Sequence, residues 1–408
     1  MGAVYSSVTH SVLLMGNNDK QRALPARWAS DGRHLIGVCG LCVVNRCRIV
    51  VITDSEVVRI EAAGGRRVER EGVSRRRVLL GGLAVAGTVT GTIGAGRATA
   101  VPSPPIIGTS GWGARPNSAI VPVWNQRPIK IIVHHTATPN QADFSRAAAD
   151  TLARAIQNFH MDRRGWIDTG QHFTISRGGF VLEGRHRSLE VLRIGRQQVE
   201  GAHTTGQNIV AVGIENEGIY TVERPPGELW NRLRELCAYI CQQYAIRPTE
   251  IFGHRDFKDT ACPGDVLYGM LPQLRAEVAG LLGQHLSRDA AVQASWPLLR
   301  IADRGAAVRA AQHLLRAAGL RIVDASGEFD RTTADAVRQF QTEQGTEEVN
   351  GMIGGESWPL LVRVVRPDDD GEAALAVQAL TSGGGLEAPT MLGVEEWKQL
   401  LSHTTTSP

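Results

Sequence analysis

Between residues 106 and 282, strand-like segments alternate with helix-like segments, and this alternation constrains the fold more than any other feature of the chain. Lys130–His135 reads KIIVHH, the apolar run of a short buried strand, whereas residues 145–160 carry apolar side chains at helical spacing. Strand-like runs flank the Gly178-Gly179 pair, which is typical of a hairpin. We therefore predict an α/β domain over residues 106–282, with a mixed β-sheet flanked by helices.

A smaller helical region follows a polar joint at residues 283–295. Helix-like segments within residues 296–365 predict a small three-helix domain. Residues 366–402 are similar in sequence to parts of that unit: GEAALAVQAL resembles AAVRAAQHLL, and MLGVEEWKQLL resembles MIGGESWPLLV. We interpret this internal similarity as a degenerate, partial second repeat.

Residues 73–100 have the pattern of an export signal. An arginine run opens the segment, a Gly/Ala-rich apolar stretch follows from Val78 to Gly96, and the small-residue triplet ATA ends it. Ser74 followed by Arg75-Arg76 resembles the twin-arginine type of signal. We expect cleavage after Ala100, a secreted or wall-associated protein, and no stable membrane insertion after cleavage. The alternative, a buried or membrane-spanning helix, fits the many glycines less well.

An unusual leader, residues 1–72, precedes that signal. It shows no sustained hydrophobic period, and a signal normally begins its chain. We predict that the leader is either not translated or disordered. In the first case, translation would start at Val68 or Val73.

The charge of the chain is unevenly distributed, and the distribution bears on its partners. The first 100 residues carry 14 Lys+Arg and 7 Asp+Glu, whereas residues 101–408 carry 30 and 34. The exported part is therefore mildly acidic, and nucleic acid is not an expected partner. No heptad repeat indicates an oligomer, so we expect a monomer.

A candidate metal site combines one strand end with one loop. His254 and Cys262 lie in GHRDFKDTACPGD, and His134 lies near the end of the predicted strand KIIVHH. Catalytic zinc sites use three protein ligands and leave one position open. Since strand ends of α/β sheets collect ligands, these three residues can meet, although His254 could also be a solvated loop histidine and Cys262 a buried thiol. His134 and His135 point to opposite faces of a strand, so only one of them can be a ligand.

Seven segments extend this pattern into a family resemblance. In chain order they are SGWGARP, IIVHHTAT, RGWIDTGQHF, GGFVLEGRH, GAHTTGQN, VGIENEG and GHRDFKDTACPGD. Together they resemble the zinc-dependent N-acetylmuramoyl-L-alanine amidases (amidase type 2), a family that includes peptidoglycan recognition proteins. Residues 296–365 resemble the bacterial peptidoglycan-binding domain. The resemblance implies that His134, His254 and Cys262 bind Zn²⁺.

The resemblance also implies residues that contact substrate. These are His203, Trp112, Trp166 and Arg255, in the cleft or directly behind it. As an isolated residue, His203 could equally be a surface histidine with its hydrogen bonds satisfied.

The residues that transfer protons differ between branches of this family. Many members have a tyrosine where this chain has Gln171, which cannot transfer protons. Another branch uses a glutamate in a GIE-EG motif, and Glu215 matches it, so we hypothesise that Glu215 is the general base. Glu217 is the competing candidate, and a structural salt bridge is the alternative role for Glu215. Thr260 replaces a lysine of some relatives, and its hydroxyl can still donate a hydrogen bond to an oxyanion.

The function implied by the resemblance is that of a secreted peptidoglycan hydrolase. Such an enzyme cleaves the amide between the lactyl group of N-acetylmuramic acid and L-alanine of the stem peptide, and its partner is bacterial peptidoglycan. The alternative is a non-catalytic muropeptide recognition protein. Gln171 favours that alternative, whereas the complete set of three ligands favours an enzyme.

Overall fold

The computed structural model describes residues 100–320, 324–382 and 391–404, together with the backbone of three strands nearer the start of the chain. Those strands are β1 (Cys39–Val43), β2 (Arg46–Thr53) and β3 (Glu56–Ala62), an antiparallel meander that forms a unit of its own. The remainder of the leader and the export signal up to residue 99 lie outside the described residues. The predictions about both segments therefore stay predictions.

Strands and helices alternate through the α/β domain. In chain order they are β4 (Ile106–Ile107), α1 (Thr109–Trp112), β5 (Val123–Trp124), β6 (Lys130–His135), α2 (Arg146–Asn158), β7 (Phe173–Ile175), β8 (Val181–Glu183), α3 (Ser188–Ile194), β9 (Gln198–Val199), β10 (Ala211–Asn216), α4 (Gly227–Tyr244), β11 (Ile251–Gly253), α5 (Asp265–Gly269) and α6 (Leu271–Leu281). A π-helical turn at Phe159–Arg163 follows α2, and 3₁₀ turns lie at Pro248–Glu250 and His254–Asp256.

The central sheet is mixed, as predicted. Its strand order is β11-β6-β10-β7-β8-β4. Strands β11, β6, β10 and β7 run parallel, whereas β8 pairs antiparallel with β7. Parallel pairing brings the carboxyl ends of β6, β10 and β11 to one edge, where Glu215 lies beside His134 in register.

Helices cover both faces of this sheet. Val181 packs into the large core with α4 and α6, whereas its neighbour Leu182 packs into a smaller core with α2. The opposite directions follow from the two-residue period of a strand. Helix α2 begins directly after Ser145, whose hydroxyl accepts a hydrogen bond from the Ala148 amide at 3.2 Å. The predicted layered α/β architecture is therefore confirmed.

The C-terminal region is helical, as predicted. Its helices are α7 (Ala306–Ala317), α8 (Arg331–Gln344), α9 (Ser357–Leu361), α10 (Glu372–Thr381) and α11 (Val394–Thr404). One core holds side chains from all five, and the buried Trp358 donates its indole N–H to Pro297 O at 2.7 Å. The elements of the predicted partial repeat thus share a core with the first unit, and the boundary between the two stays a prediction. Among the described residues, no helix has the length and apolar character needed to cross a membrane.

Candidate metal centre

Three residues that lie far apart in the chain meet at the carboxyl edge of the sheet. His134 is the next-to-last residue of β6, His254 directly follows β11, and Cys262 lies in the loop beyond it. Their ligand atoms all lie within 4.8 Å of one another, and Cys262 Sγ is 3.7 Å from His134 Nδ1. Bonds of ~2.0 Å to nitrogen and ~2.3 Å to sulfur at a tetrahedral centre would place such atoms ~3.5 Å apart. The residues and their spacing therefore fit a zinc ion with three protein ligands.

The protonation of the two histidines also suits metal binding. Burial lowers the pKa of His134 well below its ordinary value and lowers the pKa of His254 to about 4. Both imidazoles are therefore neutral at pH 7, the form that binds metal. Burial raises the pKa of the Cys262 thiol, and the nearby Glu215 carboxylate adds to this rise. A bound cation would reverse that effect by stabilising the thiolate.

His203 contacts one of the three ligands. Its Nδ1 lies 3.0 Å from His134 Nε2, while His134 Nδ1 faces Cys262. A ligating histidine commonly donates its second ring N–H to a neighbour that fixes its orientation. Behind it, the His172 ring lies 5.4 Å from His203, and its Nδ1 accepts a hydrogen bond from the Gly213 amide. The sequence motifs predicted that His203 contacts substrate, but they did not predict its contact with His134.

Glu215 lies opposite His134 on β10, and one of its oxygens is unpartnered. Its Oε2 is buried without a hydrogen-bond partner in the described part of the chain, and burial raises the pKa of the carboxyl to about 8. The side chain lines a cavity of about 380 Å³, mostly apolar, whose other walls are α2 and the segment that follows β6. Glu217, the competing candidate, instead accepts a hydrogen bond from the Arg177 amide at 2.7 Å. This geometry leaves Glu215 available for chemistry and gives Glu217 a structural partner.

A larger cavity of about 710 Å³ opens beside the ligands. The predicted site residues on its wall are Trp166, His203, His254 and Thr260. Thr260 Oγ1 accepts a hydrogen bond from the Cys262 amide at 3.2 Å, so its own hydrogen remains available for donation.

Two predicted substrate contacts lie elsewhere. The Arg255 guanidinium is buried, donates to Asp265 Oδ1 at 2.8 Å and to Ala261, and lies over the Tyr268 ring. Trp112 is 2% exposed and donates its indole N–H to the Glu183 carbonyl at 2.8 Å. Arg255 therefore stiffens the loop that carries Cys262, and Trp112 supports the core under α2. The structure does not bring either residue to the cavity wall.

The structure also defines the contacts of His160 and Gln171. His160 packs against Trp166 with ring centroids 4.6 Å apart and tilted ring planes, and it borders the smaller cavity. Gln171 is buried and donates to Thr174 Oγ1 at 2.8 Å. Gln171 lines neither of these cavities.

Acid should destabilise the metal-free protein strongly. Burial lowers the pKa values of His135, His160, His172 and His254 from 6.5 to about 4. Groups with a depressed folded pKa contribute stability that is complete above pH 6.5 and is lost as the pH falls to about 4, because only the unfolded chain takes up protons there. We expect the midpoint of thermal unfolding in chelator to fall by about 10 °C or more over this range. A flat profile by circular dichroism would contradict the burial of these imidazoles.

Known proteins share both parts of this chain. Residues 124–265 match the family model described as N-acetylmuramoyl-L-alanine amidase, and residues 304–361 match that of a putative peptidoglycan binding domain. The chain is 35% identical to the human N-acetylmuramoyl-L-alanine amidase over 165 residues, which cover 39% of this chain and 26% of that protein. It is 30% identical over 168 residues to peptidoglycan-recognition protein 1 of Holotrichia diomphalia, covering 40% of this chain and 78% of that relative.

The chain was also compared with solved structures. Wild-type Drosophila PGRP-LB matches with 30% identity over 41% of this chain and 92% of that one, at a TM-score of 0.36. The chain thus spans about a quarter of the length of its human relative and most of the length of the shorter recognition proteins.

Proposed function

This chain belongs to the N-acetylmuramoyl-L-alanine amidase family, and we propose that it hydrolyses the amide between the lactyl group of N-acetylmuramic acid and L-alanine of the peptidoglycan stem peptide. The observation that carries this proposal is the trio His134, His254 and Cys262 beside the unpartnered oxygen of Glu215. When bound to the trio, zinc supplies Lewis acidity at the scissile carbonyl and acidifies water. A protein that only recognised muropeptides would have no use for a carboxylate held in this way.

In this proposal Glu215 transfers the proton. The ionised Glu215 carboxylate can take a proton from the attacking water, and the raised pKa helps the resulting acid to hold that proton until it passes to the leaving amine. Its position in register with His134 places it next to the ligands, on the α2 side of the sheet.

Thr260 has a second role, at the carbonyl oxygen. Because its oxygen already accepts the Cys262 amide hydrogen, its hydroxyl hydrogen can be donated to the oxygen on which negative charge develops. A hydroxyl carries no charge, so this contribution is smaller than that of the lysine found in some relatives.

The proposal extends to the place of action. Export by the segment at residues 73–100 would bring the enzyme to peptidoglycan, and the C-terminal domain would hold it there. Such tethering raises the local concentration of substrate without adding new chemistry.

Digestion of purified peptidoglycan tests the proposed function directly. We expect the zinc-loaded protein to release free stem peptides with N-terminal alanine, identified by mass spectrometry, and to leave the glycan strands uncut. A protein that sediments with the wall but releases no peptide would contradict the amidase. That result would support the muropeptide recognition alternative.

A further inference from the structure

The C-terminal domain packs directly against the segment that carries two of the three metal ligands. We call this segment, residues 254–265, the metal loop. At its centre, the fully buried Asp259 accepts hydrogen bonds on one oxygen from the amides of Gly354 (2.6 Å) and Ser357 (3.0 Å). Its other oxygen accepts from Ser357 Oγ (2.5 Å) and Gln341 Nε2 (3.1 Å). All four donors belong to the C-terminal domain.

This arrangement links the metal loop to the docked C-terminal domain through a buried carboxylate. A carboxylate withdrawn from water is costly unless donors fill its acceptor sites. Burial raises the pKa of Asp259, and the hydrogen bonds from Ser357, Gly354 and Gln341 oppose that rise. In the docked state every side-chain hydrogen bond that Asp259 accepts comes from the C-terminal domain, a match that a freely moving tethered module would not require.

Further contacts hold the loop on both sides of Asp259. Lys258 Nζ lies between Glu347 (2.8 Å) and Glu356 (3.0 Å). The Gly355 amide donates to the carbonyl of Arg255, the residue next to His254, at 3.1 Å. The C-terminal domain thus contacts the loop at Arg255, Lys258 and Asp259.

The connection between the domains is also fixed. Arg300 forms an ion pair with Asp265, at the end of the metal loop, at 2.6 Å. In the joint that precedes Arg300, Ala291 is buried and its carbonyl accepts from Arg275 Nη1 of α6 at 2.9 Å. The joint therefore behaves as part of a packed interface.

The C-terminal domain also reaches the larger cavity. Glu347, Glu348 and Asn350 lie on its wall together with His203 and Thr260. Glu347 Oε1 accepts a hydrogen bond from Thr205 Oγ1 of the opposite side at 2.8 Å. One wall of the cleft is thus contributed by the C-terminal domain.

We propose that the C-terminal domain is a positioning element of the metal centre, and that Asp259 is the positioning residue through which it acts. Docking holds the metal loop so that His254 and Cys262 face His134. The inference rests on the proposed function in taking these three residues as a zinc site. A tether would affect only the attack on wall polymer, whereas a positioning element affects metal binding and the cleavage of small soluble fragments as well.

Gly355→Ala tests this inference without changing any residue of the α/β domain. A Cβ at Gly355 would lie 2.3 Å from the Asp256 carbonyl carbon and oxygen, so the domains could not dock closely. The matched control is Gly371→Ala in the same domain, where φ is −79° and nothing lies within 4 Å of an added Cβ. Ser357→Ala is a second variant, since it removes one donor to Asp259 without adding volume.

The readout is Co²⁺ binding to the full chain, because the thiolate-to-cobalt absorption band reports whether Cys262 and the histidines meet. We expect Gly355→Ala to bind Co²⁺ at least tenfold more weakly with an altered band, Ser357→Ala to shift in the same direction by a smaller factor, and Gly371→Ala to match wild type. Turnover of a soluble N-acetylmuramoyl peptide should fall in parallel.

Two outcomes separate this inference from the proposed function. Wild-type Co²⁺ spectra and affinities in both interface variants would overturn the positioning role. If Gly355→Ala fails to fold, Ser357→Ala decides the question by the same band. A wild type that binds Co²⁺ through Cys262 yet cleaves no soluble fragment would instead overturn the amidase proposal, while the spectra would still report on positioning.

Discussion

Cys262→Ser should lower kcat/KM for peptide release by about a thousandfold or more and should abolish stoichiometric zinc binding. A neutral hydroxyl is a poor zinc ligand compared with a thiolate, and two histidines alone do not complete a catalytic site. Losing several kcal/mol of Lewis-acid stabilisation corresponds to a loss of this size. Zinc content after gel filtration and release of N-terminal alanine from a soluble muropeptide measure the two effects.

Cys241→Ser is the matched control for that change. Cys241 is a buried free thiol in α4, on the opposite side of the sheet from the ligands. The serine hydroxyl there lowers the free energy of unfolding because it buries a polar group, but zinc binding and turnover should persist. Full zinc and full activity in Cys262→Ser would show that the trio is not the catalytic metal site.

The α/β fold could be predicted because each element leaves a local pattern. The KIIVHH run predicted a buried strand, and β6 spans the same six residues, Lys130–His135. The helical spacing of apolar residues after Ser145 predicted a helix, and α2 begins there and ends at Asn158, before a π-helical turn. The convergence of His134 and His254 followed from one topological fact, that ligands collect where parallel strands end.

Features that depend on pairing between distant segments could not be predicted in this way. Asp259 and Ser357 lie 98 positions apart and His134 and His203 lie 69 apart, and a single hydrogen bond leaves no period in either segment. Trp112 stands in a family motif, yet its burial is decided by the tertiary packing of α2. A sequence motif can indicate that a residue such as Trp112 belongs to the site region. Only the tertiary packing determines whether that residue contacts substrate or supports another residue that contacts substrate.

Glu215→Gln should lower turnover of a soluble muropeptide by about 10²–10⁴-fold while zinc remains bound. Glutamine has the same shape but cannot accept a proton from water at neutral pH. Because Glu215 Oε2 has no hydrogen-bond partner in the described part of the chain, the change breaks no interaction at that oxygen and the fold should persist. Stopped-assay kinetics and zinc content, measured on one preparation, separate a catalytic defect from loss of the metal.

The pH profile and a neighbouring variant sharpen this prediction. Burial raises the pKa of Glu215, so wild-type turnover should rise with pH as the carboxyl loses its proton, and the residual activity of Glu215→Gln should lack this limb. Glu217→Gln is the matched control, since glutamine can still accept the Arg177 amide hydrogen and activity should persist. Retained turnover in Glu215→Gln together with lost turnover in Glu217→Gln would assign the base to Glu217. Both residues lie near the end of β10, but among the described residues only Glu215 of the two has a fully buried carboxylate oxygen without a hydrogen-bond partner, so the pair separates proton transfer from simple burial of negative charge.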